Sequence, residues 1–143
     1  MDLTEIFNQM PFTKALGIEI VSIEDGEATG KLELTEKHSS NPNRLIAHGG
    51  VTYALADTVG GAAAISANET VTPTIDMRID YLAPATGGVL HAEAEVVRNG
   101  NSVAAVTVEI TDEDGREIAA ARGVYKSGGG GGDSAWVDGE LIA

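Results

Sequence analysis

Residues 45–68 read LIAHGGVTYALADTVGGAAAISAN, and this stretch decides the fold. Its 24 residues contain a single charged side chain, Asp57. The stretch is long enough to resemble a membrane span, but it is built of alanine and glycine around a central carboxylate, so its transfer into lipid is unfavourable. A long helix buried in a globular protein fits this composition better.

Apolar and polar residues alternate on both sides of this helix, which is the pattern of half-buried strands. Before it, two alternating runs flank Asp25-Gly26 and predict a hairpin. After it comes one strand and then a three-stranded meander, with a two-residue turn predicted at Asn99-Gly100. The apolar face predicted for the first of these strands consists of Ile75, Met77, Ile79 and Tyr81. We therefore expect an α+β fold, with a single antiparallel sheet wrapped around one long central helix.

The two ends of the chain carry different signals. Residues 2–10 have apolar side chains at helical spacing and predict a short leading helix, which Pro11 and Gly17 close. Five glycines at 128–132 predict that residues 128–143 form a disordered tail after a single domain at 1–127, unless Trp136 docks on a partner subunit. The N-terminus lacks the apolar segment of a secretory signal, so a cytoplasmic protein is expected.

Composition excludes several kinds of function. The 143 residues include no cysteine, which removes disulfides, thiolate metal sites and cysteine nucleophiles. The net charge of −13 repels phosphate backbones and anionic lipid, so neither a nucleic acid nor a membrane is an expected partner. The surplus of acidic residues is typical of a halophile's cytoplasmic protein, and an ordinary acidic protein is the alternative.

Asp57 is the first candidate for chemistry. The glycine pair at residues 60 and 61 follows it by one helical turn, and each mid-helix glycine costs about 1 kcal/mol relative to alanine. Such a cost predicts that another part of the molecule approaches the helix closely there. The carboxylate at this position is a candidate for a chemical role. The structural alternative is that it forms a hydrogen bond to neighbouring backbone or caps a second helix.

The sequence His48-Gly49-Gly50 at the predicted helix entrance is the second candidate. The first turn of a helix has N–H groups without intrahelical acceptors and carries partial positive charge. Glycines let a ligand oxygen reach these donors, so Gly49 and Gly50 are candidates for an oxyanion hole beside His48. The alternative is that His48 only caps the helix and that the glycines only form the turn.

The spacing of the two candidates predicts an oligomer. Gly49 and Asp57 are eight residues apart on one helix, which separates them by about 12 Å. One chain therefore cannot direct both at the same carbonyl group. If they act together, the helix entrance of one subunit must face Asp57 of a second subunit, in a two-fold dimer with two shared sites.

These motifs resemble those of a known family. His48-Gly49-Gly50 is followed nine residues after the histidine by Asp57, and then by TIDMRIDYLAPA at 74–85. This combination is similar to the hotdog-fold acyl-CoA thioesterases of the phenylacetate-pathway, or PaaI-like, family, and the resemblance covers about residues 10–127. It implies an acyl-CoA thioesterase that needs no cofactor, acts on aromatic or medium-chain acyl groups, and assembles as a homodimer or homotetramer.

The resemblance also implies roles for individual residues. Gly49 would donate its N–H to the thioester carbonyl, and Asp57 of the facing subunit would act as general base or as nucleophile. His48 would position the carbonyl or the helix entrance, and Thr74 would orient the water or the acid. An asparagine expected six residues before the histidine is replaced by Pro42, so Asn43 serves only if the loop shifts by one residue.

The role implied for Thr74 depends on the tertiary structure around its strand. Strict alternation places Thr74 on the polar face of its strand, so it reaches the site only if the strand bulges or if a partner covers that face.

Coenzyme A is anionic, and Arg98, Arg122 and Lys126 are the candidates to bind its phosphates. His38 and His91 lack a spaced metal partner, and no metal is assigned. A hotdog dehydratase and a non-catalytic acyl-CoA-binding protein remain as alternative functions.

Overall fold

The computed structural model describes residues 2–128, and the predicted tail at 128–143 lies outside this range apart from Gly128. Six strands form one antiparallel sheet in the order β1-β2-β4-β5-β6-β3. The strands are β1 Ile18–Glu24, β2 Glu27–Glu33, β3 Thr74–Tyr81, β4 Val89–Asn99, β5 Val103–Thr111 and β6 Glu117–Lys126. The helices are α1 Leu3–Gln9, α2 Pro11–Leu16 and α3 Gly49–Asn68. This arrangement confirms the predicted α+β hotdog fold.

Helix α3 packs against one face of the sheet, here called the inner face, and the opposite face is the outer face. Leu55, Ala56, Val59 and Ala62 of α3 are completely buried. Alternate residues of β5 meet them from the sheet, and these are Ala104, Val106, Val108 and Ile110. Small side chains on α3 allow the helix axis to approach the sheet closely. No helix within residues 2–128 is long and apolar enough to cross a membrane.

Strand β3 lies at one edge of the sheet and departs from the predicted alternation. The register with β6 shifts between Thr74 and Asp76, so Ile75 is the extra residue of a β-bulge. The side chain of Ile75 is 58% exposed, whereas Met77 is buried. The prediction that Ile75 shares the apolar face of Met77 was therefore wrong, because the side chain of the extra residue points outward. The bulge also moves Thr74, the residue before it, to the opposite face from the one that strict alternation predicts.

The leading segment contains two short helices in place of the single predicted one. Met10, the residue before Pro11, has extended backbone angles (φ −62°, ψ 131°), which end α1. Pro11 then occupies the first turn of α2, where its missing N–H costs nothing. Helix α2 ends at Gly17, whose φ of 82° is the left-handed conformation common after helices. Pro11 therefore separates two helices, whereas the sequence pattern predicted a single helix that ends there.

The two predicted hairpin turns have different outcomes. Asp25 and Gly26 both have positive φ (46° and 83°), which confirms a tight turn between β1 and β2. Between β4 and β5 the turn lies two residues later than predicted, at residues 101–102, where the Gly100 N–H donates to the Val103 carbonyl at 2.9 Å. A Cβ at Gly100 would lie 2.9 Å from that carbonyl oxygen, so this glycine serves close backbone approach and not a positive φ.

Candidate active site

The entrance of α3 presents one unpaired backbone amide. His48 is the N-cap: its Nδ1 accepts the Gly50 N–H at 2.8 Å, and its carbonyl accepts the Val51 N–H at 2.9 Å. The Gly49 N–H has no acceptor among residues 2–128. Of the two amides predicted to bind an oxyanion, that of Gly49 is therefore open, while that of Gly50 is already bonded to His48.

Tyr81, at the end of β3, holds the same helix entrance from the other side. Its hydroxyl donates to the Gly49 carbonyl at 2.8 Å. A Cβ at position 49 would lie 3.2 Å from the ring Cζ and from the hydroxyl oxygen of Tyr81. The absence of a side chain at Gly49 therefore lets the aromatic ring lie against the first turn of α3.

A cleft of about 510 Å³ opens beside the free Gly49 amide. One wall is the start of α3, and the other is the extended segment that follows β3, at residues 82–85. Its lining is Ala47, Gly49, Gly50, Thr52, Tyr81, Leu82, Ala83, Pro84, Ala85 and Ile118. The cleft is mostly apolar and has a hydrogen-bond donor at its edge, which is the usual character of a small-molecule site.

The carboxylate of Asp57 lies two turns further along α3 and faces β3. Thr74 donates its hydroxyl to Oδ1 of Asp57 at 2.7 Å. The bulge at Ile75 makes this contact possible, because it places Thr74 opposite the inward-facing Tyr125 in the register with β6. A bulged strand, one of the two conditions under which Thr74 was predicted to reach the site, is thus present within the single chain.

Tyr125 of β6 is a third member of this cluster and was not identified from the sequence. Its hydroxyl lies 3.0 Å from the Asp57 carbonyl oxygen and 3.1 Å from Asp57 Oδ1, and its side chain is 1% exposed. Burial raises the pKa of Tyr125, and the charge and hydrogen bond of Asp57 raise it further. The phenol therefore stays protonated and acts toward Asp57 as a donor.

Gly60 accommodates Tyr125 on the helix. A Cβ at Gly60 would lie 2.6 Å from the hydroxyl oxygen of Tyr125, whereas a Cβ at Gly61 would lie 3.6 Å from a ring carbon, at ordinary contact distance. This confirms the close approach predicted from the glycine pair. The pair was also the one sequence signal that pointed toward Tyr125, although it did not say which residue approaches.

The two oxygens of Asp57 are in different situations. Both hydroxyls of the cluster converge on Oδ1. No N–H or O–H group in the described part of the chain donates to Oδ2. The side chain is half-buried. Oδ2 is therefore the oxygen available to take a proton from water or to attack an electrophilic carbon.

Three other predicted site residues lie apart from these groups. Asn43 is exposed in the loop before α3, and its backbone N–H donates to Asn41 Oδ1 at 2.8 Å. Arg122 lies on the outer face of β6, opposite Arg78. Arg98 is near the end of β4, and its neighbour Asn99 contacts the Ala67 carbonyl in the last turn of α3 at 3.5 Å. One protomer alone does not bring these residues to Gly49 or Asp57.

The other two histidines are remote from the acid. His38 is buried, with Nδ1 accepting the Thr35 N–H at 2.9 Å and Nε2 lying 2.7 Å from the Leu16 carbonyl oxygen. His91 is exposed on the outer face of β4, in register with Lys31. Across residues 2–128, no three His, Asp or Glu side chains are grouped so as to hold a metal ion.

Comparison with known proteins places the chain in a family. A family model described as the thioesterase superfamily matches residues 46–119. The chain is 32% identical over 134 residues to the medium/long-chain acyl-CoA thioesterase YigI of Salmonella typhimurium, across 83% of this chain and 86% of that protein. It is 34% identical over 116 residues to the 1,4-dihydroxy-2-naphthoyl-CoA hydrolase of Listeria monocytogenes, across 79% and 92% of the two chains.

A solved structure supports the same assignment. The PaaI protein from the phenylacetic acid degradation operon of E. coli matches with a TM-score of 0.78 and 26% identity, over 90% of this chain and 97% of that one. The chain therefore belongs to the thioesterase superfamily, which confirms the PaaI-like resemblance at the level of the family. The prediction that it is a thioester hydrolase is confirmed with it.

Proposed function

We propose that this protein is an acyl-CoA thioesterase whose active site combines Gly49 of one protomer with Asp57 of a second. The observation that carries the proposal is the state of Asp57. It is the one charged residue of α3, with Oδ1 held by two hydroxyls and with Oδ2 left unpaired within residues 2–128. An acid oriented in this way is suited to activate water or to attack a carbonyl.

The reaction follows from the two groups. As general base, Asp57 takes a proton from water, and the hydroxide adds to the thioester carbonyl carbon. The Gly49 N–H stabilises the resulting oxyanion, whose collapse breaks the C–S bond. The CoA thiolate leaves and takes up the proton as free thiol, and the acyl group leaves as a carboxylic acid. As nucleophile, Oδ2 adds first, the thiolate leaves, and water hydrolyses the anhydride.

The sharing of the site is supported by the edge of the sheet. Strand β3 pairs with β6 on one side only, so the other edge presents unpaired backbone groups to a second chain. Exposed apolar side chains accompany it, with Ile75 58%, Tyr81 53% and Leu82 53% accessible. A two-fold pairing of these edges buries the apolar side chains and lets one α3 entrance face the neighbouring Asp57. Two such dimers would form the homotetramer.

The lining of the cleft and the named substrates of the relatives together suggest which acyl groups this protein accepts. The cleft at the α3 entrance is lined largely by alanine, leucine, proline and isoleucine, which suits an apolar acyl chain or an aromatic ring. Among the relatives, YigI is named for medium and long chains, and the Listeria hydrolase is named for an aromatic naphthoyl ester. We therefore retain aromatic and medium-chain acyl-CoA esters as the candidate substrates.

Arg98 and Arg122 are proposed to contact the CoA phosphates from a neighbouring subunit. Arg122 lies opposite Arg78 in the register of β6 with β3, and Arg78 is paired with Asp80 at 3.1 Å. Arg122 is therefore the guanidinium of the two that has no carboxylate partner in the described part of the chain. The Arg122→Ala variant should raise the KM for an acyl-CoA several-fold and leave the KM for the matching N-acetylcysteamine thioester, which has no phosphate, unchanged. Arg116→Ala, in the distant β5–β6 turn, is the control. Equal effects on both thioesters would contradict this role.

The activity itself is tested by release of free thiol from a panel of acyl-CoA esters, at low and high salt. Turnover of aromatic or medium-chain esters supports the proposal. Tight binding of acyl-CoA without thiol release over hours would identify a non-catalytic binding protein instead. Hydration of an enoyl-CoA without thiol release would identify a dehydratase.

A mixed-subunit experiment tests the shared site. Gly49→Pro removes the amide hydrogen at the first helical position, where proline is tolerated. The extended angles of His48 (φ −62°, ψ 137°) suit a residue before proline.

Co-expression of Gly49→Pro and Asp57→Asn chains with different tags yields mixed dimers. Because each proposed site takes Gly49 from one subunit and Asp57 from the other, one site of the mixed dimer contains both substitutions and the other site contains neither. The purified mixed dimer should therefore recover about half of the wild-type activity. No recovery would show that the site lies within one protomer.

A further inference from the structure

We propose that Tyr125 is a positioning residue that orients the Asp57 carboxylate through its hydroxyl group, and that Gly60 is glycine in order to seat this hydroxyl. The inference rests on the proposed function, because it assigns a task to the acid assumed there. Its basis is the short approach of one phenol oxygen to the backbone carbonyl and to Oδ1 of Asp57, at 3.0 and 3.1 Å.

The position of the hydroxyl limits what it can do. A single phenol proton shared between the carbonyl oxygen and Oδ1 ties the side chain of Asp57 to its own backbone. Together with the Thr74 hydroxyl at 2.7 Å, it fixes the rotation of the carboxylate about its Cβ–Cγ bond. Oδ2 is then left without a donor within residues 2–128. Tyr125 is buried to 1% exposure, so it reaches the reaction only through Asp57.

The surroundings of Tyr125 leave little freedom for its ring. A Cβ at Gly123, two residues earlier on the inner face of β6, would lie 2.7 Å from ring Cε1. A Cβ at Gly60 would lie 2.6 Å from the hydroxyl oxygen and 3.3 Å from Val108 Cγ2. The ring therefore lies between two glycines, one on the helix and one on the strand. Of these two glycines, Gly60 on the helix is the one that lies against the hydroxyl oxygen of Tyr125.

The first test is the variant Tyr125→Phe, which keeps the ring and removes the hydroxyl. We expect kcat to fall about tenfold with little change in KM, as for the loss of one hydrogen bond to a charged group. A tether with only a structural role would lower the melting temperature and leave kcat at the wild-type value.

The second test is a double-mutant cycle with Gly60. Gly60→Ala in the wild-type background should reproduce the tenfold fall in kcat, because the new methyl group displaces the hydroxyl. In the Tyr125→Phe background the same change should leave kcat unchanged, because the hydroxyl is already absent. Gly61→Ala is the matched control, since its methyl group meets the ring at 3.6 Å and should leave kcat at the wild-type value.

The outcomes separate this inference from the proposed function. A wild-type kcat in Tyr125→Phe, with Asp57→Asn inactive in the same assay, overturns the role of Tyr125 alone. Equal losses from Gly60→Ala in both backgrounds overturn it as well. Where Tyr125→Phe is too unstable to assay, a wild-type kcat in a folded Gly60→Ala variant overturns it instead. Full activity of Asp57→Asn would overturn the proposed mechanism, and the positioning role with it.

Discussion

The two halves of the candidate site are built in different ways on the same helix. At the entrance of α3, the reactive group is a backbone amide, that of Gly49. Its cap is formed by the sequence neighbours His48 and Gly50, and Tyr81 of β3 packs against the same turn. Two turns further on, the reactive group is a side chain, Asp57, and the groups that hold it come from β3 and β6, up to 68 residues away. An oxyanion site can be made locally, whereas an oriented carboxylate requires the sheet.

The two halves of the site also differ in the free energy that each costs the folded protein. A helix N-terminus supplies unpaired N–H groups wherever a helix begins, so the entrance needs only a cap and the absence of side chains. A carboxylate on an apolar helix is costly unless it is hydrogen-bonded, and here two hydroxyls supply those bonds on one oxygen. The acid half of the site should therefore be the more sensitive to substitution.

The largest effect should come from removing the charge of the acid half. We expect Asp57→Asn to lower kcat by about a thousandfold, because the amide can neither accept a proton nor attack a carbonyl. Circular dichroism should show an unchanged fold. Retention of more than a tenth of the wild-type thiol release in a pure preparation would contradict the role of Asp57.

The next effect should come from the entrance half. Gly49→Pro removes one N–H, and we expect about a hundredfold loss of kcat, as for loss of an oxyanion donor. Gly49→Ala keeps the N–H and places its methyl group at the same 3.2 Å from Tyr81, so it serves as the steric control. If the two variants lose equal activity, the contact with Tyr81 matters and the amide does not.

Thr74 should have a smaller effect, because it only assists the acid. We expect Thr74→Val to lower kcat about tenfold, since one hydrogen bond to the carboxylate is lost while the shape is kept. Thr74→Ser retains a hydroxyl and should recover most of the activity. Failure of the serine variant to exceed the valine variant in a thiol-release assay would argue against the hydroxyl.

The smallest effect should come from the cap. His48→Ala should destabilise the protein by about 1 kcal/mol, because the Gly50 N–H loses its acceptor at the N-cap position. Denaturant unfolding measures this change, and His48→Ser should restore the stability. If the serine variant is stable but still slow, His48 also positions the substrate, so the comparison separates its two predicted roles.

The fold was largely predictable because its signals are local. Alternating runs predicted six strands, and the Ala- and Gly-rich stretch predicted α3, since both patterns report burial periodicity within a few residues. The errors fell where one residue changes the local geometry. Met10 took extended angles before Pro11, the β4–β5 turn shifted past Gly100, and the bulge at Ile75 reversed one end of β3.

The candidate site also combines features that follow from local sequence with features that depend on distant segments. The sequence alone determined the helix, its cap and glycines at the entrance, and the presence of an acid two turns later, because these follow from residue spacing on one element. Tertiary structure alone decided that Thr74 faces Asp57 and that Tyr125 lies against Gly60. The physical reason is that strand register and bulges set which residues meet across the core, and these depend on pairing between segments far apart in the chain.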